Sequence, residues 1–268
     1  MMRAPRLALA RTPGALLRAA LVLFVTLAPL ALFAEVDGTA RDVSLILGLS
    51  AALLVVFEFG AGTPALVDFR DARPVNRLRF AMAAGTLAVT LAFVTAAPGG
   101  SFAQAGRALG YALGGWASPV GMMADTLSRP SALGPDAAAR GASAVALTSA
   151  ALFSAAASAV IWFGAWPGPA SAFNRFTNLP TFAAAEAGDA PARLRRLGLQ
   201  AILMGLALPV ALLAAVAAIA ALIDAGALSR PLPLAWTTAV WAAASGAQVI
   251  RGVALVKLSR VLAEEDAG

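Results

Sequence analysis

The segment ASAVALTSAALFSAAASAVIWFGAW, residues 142–166, carries no charged side chain and ends among tryptophans. A hydrocarbon core of about 30 Å needs about 20 helical residues to cross it, and this run is long enough. Backbone amides and carbonyls find no water at that depth, so helix is the state that satisfies them. Comparable apolar runs lie at 15–34, 43–60, 80–96, 199–223 and 232–250. The expected fold is therefore all-α: a polytopic membrane protein with a bundle of six transmembrane helices, plus a short periplasmic surface or re-entrant helix.

Composition agrees. The 268 residues are 60% hydrophobic and 13% charged, against about a quarter charged in soluble domains. The chain has no histidine and no cysteine. That removes the usual ligands of zinc, haem and iron–sulfur clusters, together with thiol nucleophiles and disulfides, so no metal and no cofactor is expected. A net charge of +6 in a membrane chain marks cytoplasmic loops and anionic lipid rather than nucleic acid, for which no basic stripe or known module is visible. Lys257 is the only lysine among 20 basic residues, an arginine bias of GC-rich coding that points to a bacterial source.

The first apolar run follows Arg3, Arg6, Arg11 and Arg18 and ends near Ala34. It reads as a cleaved signal peptide or a retained helix; its length and the short polar link behind it favour the helix. With six spans, 15 basic residues fall at the amino terminus, in loops 61–79 and 167–198, and at the carboxyl end, against 5 on the other face. This bias places both termini in the cytoplasm of a bacterial inner membrane. Counting the weakly apolar 108–124 as a seventh span would export the arginines of the 167–198 loop, so it is not counted.

The remaining segment, 97–141, is then periplasmic. Phe102, Ala105, Leu109, Leu113 and Trp116 recur at helical spacing, with Gln104 and Arg107 off that face. They predict an amphipathic helix resting on the bilayer, or a re-entrant hairpin, broken at Gly114, Gly115 and Pro119. Pro29 and Pro209 predict kinks within spans, and Trp162, Trp166 and Trp236 mark span ends at headgroup level.

Two loops stand out. VDFRDARPVNRLRF, residues 67–80, interleaves Arg70, Arg73, Arg77 and Arg79 with Asp68 and Asp71. Arginines alone would fix topology and attract anionic lipid at about 1 kcal/mol each; interleaved carboxylates suit a folded, paired loop or a docking site. Asn76 is the expected cap of the third span. FNRFTNLPTF, residues 173–182, sets Phe173, Arg175 and Phe176 beside polar neighbours, a pattern that packs on the membrane surface or against the first loop. These seven arginines and phenylalanines, Arg70, Arg73, Arg77, Arg79, Phe173, Arg175 and Phe176, are the candidate contacts to a membrane-protein partner or anionic lipid. The paired motifs FRDARPVNRLRF and FNRFTNLPTF resemble those of a group of multi-pass inner-membrane proteins of alphaproteobacteria. That resemblance implies a membrane fold over most of 43–260 and supplies no activity, cofactor or site residue.

Intramembrane charge is the usual flag of function in a bilayer. Glu58 and Arg251 lie near the cytoplasmic ends of the second and sixth spans and are a candidate ion pair, against snorkelling of each to the interface. No span carries a mid-membrane carboxylate, and the serines have no histidine to activate them. The expectation is a non-catalytic membrane component, an assembly or scaffold factor working through its basic cytoplasmic loops. The alternative is a small transporter or channel bounded by Glu58, Arg251 and 97–124.

Overall fold

The computed structural model describes residues 4–33, 36, 38–61, 67–70, 74–128, 137–167, 178–179, 190–222 and 225–266. Among the described residues the bounded α-helices are, in chain order, α1 Ala4–Leu27, α2 Gly38–Gly60, α3 Val75–Val94, α4 Ser101–Leu113, α5 Pro119–Leu127, α6 Ala137–Phe163, α7 Ala190–Ala211, α8 Leu213–Leu222, α9 Ala225–Leu228 and α10 Pro231–Asp266. There is no strand among the described residues. Among the described residues six helical stretches are long and apolar enough to cross a membrane: Pro13–Leu32, Gly38–Gly60, Val75–Val94, Ala137–Phe163, Ala190–Leu222 and Pro231–Glu264. Each overlaps one expected span, and the protein is an all-α polytopic membrane protein.

Helix ends depart from the sequence reading where charge was taken as a boundary. The sixth apolar run stops at 250, yet α10 continues through Arg251, Lys257 and Arg260 to Asp266. Likewise α7 begins at Ala190, ahead of Arg193, Arg195 and Arg196. Arginine and lysine are good helix formers, so leaving the apolar core does not end the helix.

The chain divides into two compact units, one of residues Met1–Asn76 with Pro167–Asp189, the other of Arg77–Trp166 with Ala190–Gly268. In the first, α1 packs on α2 as a helical hairpin. Gly48 admits Leu23 and Thr26, and the Arg18 guanidinium lies 4.6 Å from the centre of the Phe59 ring. Pro29 falls in the 3₁₀ turn Ala28–Leu32 that ends the first span, so it terminates α1 instead of kinking it.

In the second unit α10 is the central helix, packed along both α7 and α6. Leu194, Gly198, Ala201, Gly205 and Pro209 form the buried seam of α7, at the three- and four-residue spacing that keeps side chains on one helical face. A β-carbon on Gly252 would stand 2.5 Å from the Gly198 carbonyl oxygen, so only glycine permits this approach. The α7 backbone breaks at Leu212, shortly after Pro209, whose carbonyl accepts a 2.8 Å hydrogen bond from Trp241 Nε1. On the other side of α10, Gly246 meets Met82 of α3 and Ser154 of α6.

The 97–141 segment holds two helices where one was expected. Phe102, Leu113 and Trp116 of the predicted apolar face are exposed, while Ala103, Gly106 and Gly110 turn inward. Gly110 lies against the backbone of Arg140 and Gly141, and Phe93 fills the space at Gly106 and Gly141. Pro119, read as a breaker, is the first residue of α5. Ser118 Oγ accepts the Gly121 N–H at 2.9 Å and caps that helix, and proline at a first helical position forfeits no intrahelical bond.

Candidate functional site

Helix α2 ends at Gly60, leaving its last carbonyls without intrahelical donors. Arg70 supplies them. Its Nη1 donates to the carbonyl oxygens of Glu58 at 3.0 Å and Ala61 at 2.8 Å, a cationic cap at the negative end of the helix. Arg70 is buried at 5% exposure, which also accounts for its place here: a guanidinium has enough fixed donors to serve several acceptors at once.

The chain reaches that position through a folded turn. Val67 donates its backbone N–H to Glu58 Oε1 at 2.8 Å. Asn76 Nδ2 donates to the Asp68 carbonyl at 2.8 Å. The amide of Asn76 therefore does not cap α3, which begins one residue before it; it ties the start of that helix back to the turn. Phe69, between these anchors, has φ of 60° and is fully buried. A bulky residue in the left-handed region costs on the order of 1–3 kcal/mol and persists where its surroundings over-determine it. Here they do: Phe69 N–H donates to the Asn178 carbonyl oxygen at 2.6 Å, and Glu58, Asp68, Asn178 and Leu179 are all buried.

The two unusual loops therefore meet in the first unit, through Phe69 and Asn178. Of the candidate contacts, Arg70 is turned into the protein, Arg77 is exposed and Arg79 is half-buried in the first turns of α3. Arg73, Phe173, Arg175 and Phe176 lie outside the described residues. Glu58 belongs to the first unit and Arg251, half-buried in α10, to the second.

Sequence reasoning left Lys257 outside the membrane with no role. Its Nζ donates to the carbonyl oxygens of Ile161 at 2.8 Å and Gly164 at 2.6 Å, capping the end of α6 from α10. One turn on, Arg260 stacks 5.1 Å from the Trp162 ring centre. The signal was the spacing of Lys257 and Arg260, three residues apart on one helical face. What they face was not legible. No protein-family model, curated relative or solved structure matches the chain.

Proposed function

We propose that this protein is a non-catalytic component of a bacterial inner membrane, with both termini cytoplasmic, that docks a membrane-protein partner through the segment 67–79. The observation that carries this reading is the turn at Val67–Arg70. A loop that only set topology or attracted lipid would need charge and no fixed backbone. This one holds a strained, buried phenylalanine and is clamped by Asn178. Shape held at such cost serves recognition of a shaped partner better than attraction to a fluid headgroup layer.

In this reading the exposed Arg77 is the cation offered to the partner, Arg73 and Arg79 add positive charge to the same stretch of sequence, Phe173, Arg175 and Phe176 flank the clamp in sequence, and Arg70 supports the turn from within. The carboxylate of Glu58 binds Val67 N–H, which supports a structural role over a place in a transport pathway. The absence of histidine and cysteine from the sequence supports the non-catalytic assignment.

The test is purification of the full chain from its native membrane in mild detergent beside an Arg77→Ala, Arg79→Ala variant of equal yield. A stoichiometric protein present with the wild type and lost from the variant is the expected result. Wild-type protein that purifies without one, or a partner retained by the variant, would overturn the reading.

A further inference from the structure

The register of α7 against α10 has a consequence at one end of the second unit. Gly198 faces Gly252 and Val256, while Gly205 faces Ser245 and Val249, so the helices are antiparallel. Continued one turn toward the start of α7, that register sets Arg193, Arg195 and Arg196 level with Lys257 and Arg260. Lys257 is held by the carbonyls that end α6, and Arg260 by the Trp162 ring. Two helices far apart in sequence thus bring cations to one level, beside the end of α6.

Arg195 and Arg196 are exposed, and among the described residues neither has a hydrogen-bonding or ion-pair partner. Both lie in the second turn of α7, adjacent in sequence, so that like charges stand close together. Glu264, exposed on α10 four residues past Arg260, and Asp189, four residues before Arg193 and outside the described residues, are the acidic residues nearest in sequence to these five cations and leave a positive excess in place. Below the arginines the outward face turns apolar: Leu199 is 46%, Leu203 66% and Leu206 68% exposed. With Arg195 these positions follow helical spacing, so one stripe of α7 carries charge above and bare hydrocarbon-facing surface beneath.

We propose that Arg195 and Arg196 form a binding site for an anionic phospholipid, with its headgroup phosphate on the two guanidiniums and an acyl chain along Leu199, Leu203 and Leu206. The phosphate offsets the mutual repulsion of the arginines. Guanidinium is suited to phosphate because its donors match two oxygens at once. Arg260, fixed on Trp162 at the same level, adds to the positive field. The site is independent of the partner docking proposed for residues 67–79.

The test is native mass spectrometry of the full chain in a nonionic detergent, titrated with phosphatidylglycerol or with phosphatidylcholine. Wild-type protein is expected to prefer phosphatidylglycerol, and Arg195→Gln with Arg196→Gln to lose that preference. Each arginine removed should weaken phosphatidylglycerol binding roughly fivefold, and Arg107→Gln, whose native guanidinium is held by the Pro98 carbonyl, should leave it unchanged. The single variants Arg195→Gln and Arg196→Gln give the same reading should the double variant fold poorly. Equal binding of the two lipids by the wild type, or affinity in the variants within about twofold of it, would overturn the proposal.

Discussion

Phe69 donates its backbone N–H to the Asn178 carbonyl oxygen at 2.6 Å, joining two segments separated in sequence by helices α3 to α6. The contact holds Phe69 at φ 60° with its ring fully buried. Backbone strain and side-chain burial are thus opposed at one residue, and substitution separates them.

Phe69→Ala removes the ring and keeps the strain; Phe69→Gly removes both. Loss of a buried phenylalanine side chain costs about 3–5 kcal/mol, while glycine carries no penalty in the left-handed region. Both variants should unfold at lower temperature than wild type in detergent, with the glycine variant the more stable of the two. At an ordinary helical or extended position the order is reversed, so an alanine variant more stable than glycine would contradict the observed backbone.

Arg70→Leu should destabilise the first unit by about 1–3 kcal/mol, because the Glu58 and Ala61 carbonyls lose a buried donor. Arg70→Lys restores the charge and part of the cap and should recover some of that loss. Thermal unfolding of the two variants in parallel measures this. Equal stability of Arg70→Leu and wild type would show that α2 is capped by other means.

Gly252→Ala should destabilise the α7–α10 pair by about 1–3 kcal/mol, since the new methyl meets the Gly198 carbonyl at 2.5 Å and backbone must move. Gly38→Ala, with open space around its β-carbon position, should be neutral or slightly stabilising through reduced freedom of the unfolded chain. The comparison is read by resistance to denaturation in one detergent, and like behaviour of the two variants would mean the helices are not in close contact.

Lys257→Met keeps the length and apolar stem of the side chain but strips its charge from the Ile161 and Gly164 carbonyls. A loss of about 1–3 kcal/mol is expected for acceptors left without their charged donor, and Lys257→Arg should restore much of it. The readout is the midpoint of thermal unfolding followed by tryptophan fluorescence, to which Trp162 beside Arg260 contributes. An unchanged midpoint for Lys257→Met would remove the cap from the account of α6.

Membrane class, the six spans and their approximate places were legible in the sequence because each rests on a local property. An uncharged run such as 142–166 has one way to satisfy its backbone in hydrocarbon, whatever surrounds it. The meeting of the two polar loops was read only as one of two options, and the tertiary structure chose it by bringing Asn178 to Phe69. Arg70 and Asn76 were misassigned by position alone: nothing local tells a guanidinium facing solvent from one folded back on carbonyls of the preceding helix, or an amide that caps its own helix from one reaching into a turn. Helices run on past the expected spans where charge flanks an apolar run, as at Arg193 and Arg251, because hydropathy reports the membrane edge and helix propensity continues past it. The small residues of α7 and α10 stand in plain view in the sequence. Which glycine faced which, and hence which cations came level, depended on register, a relation between two segments that neither segment contains.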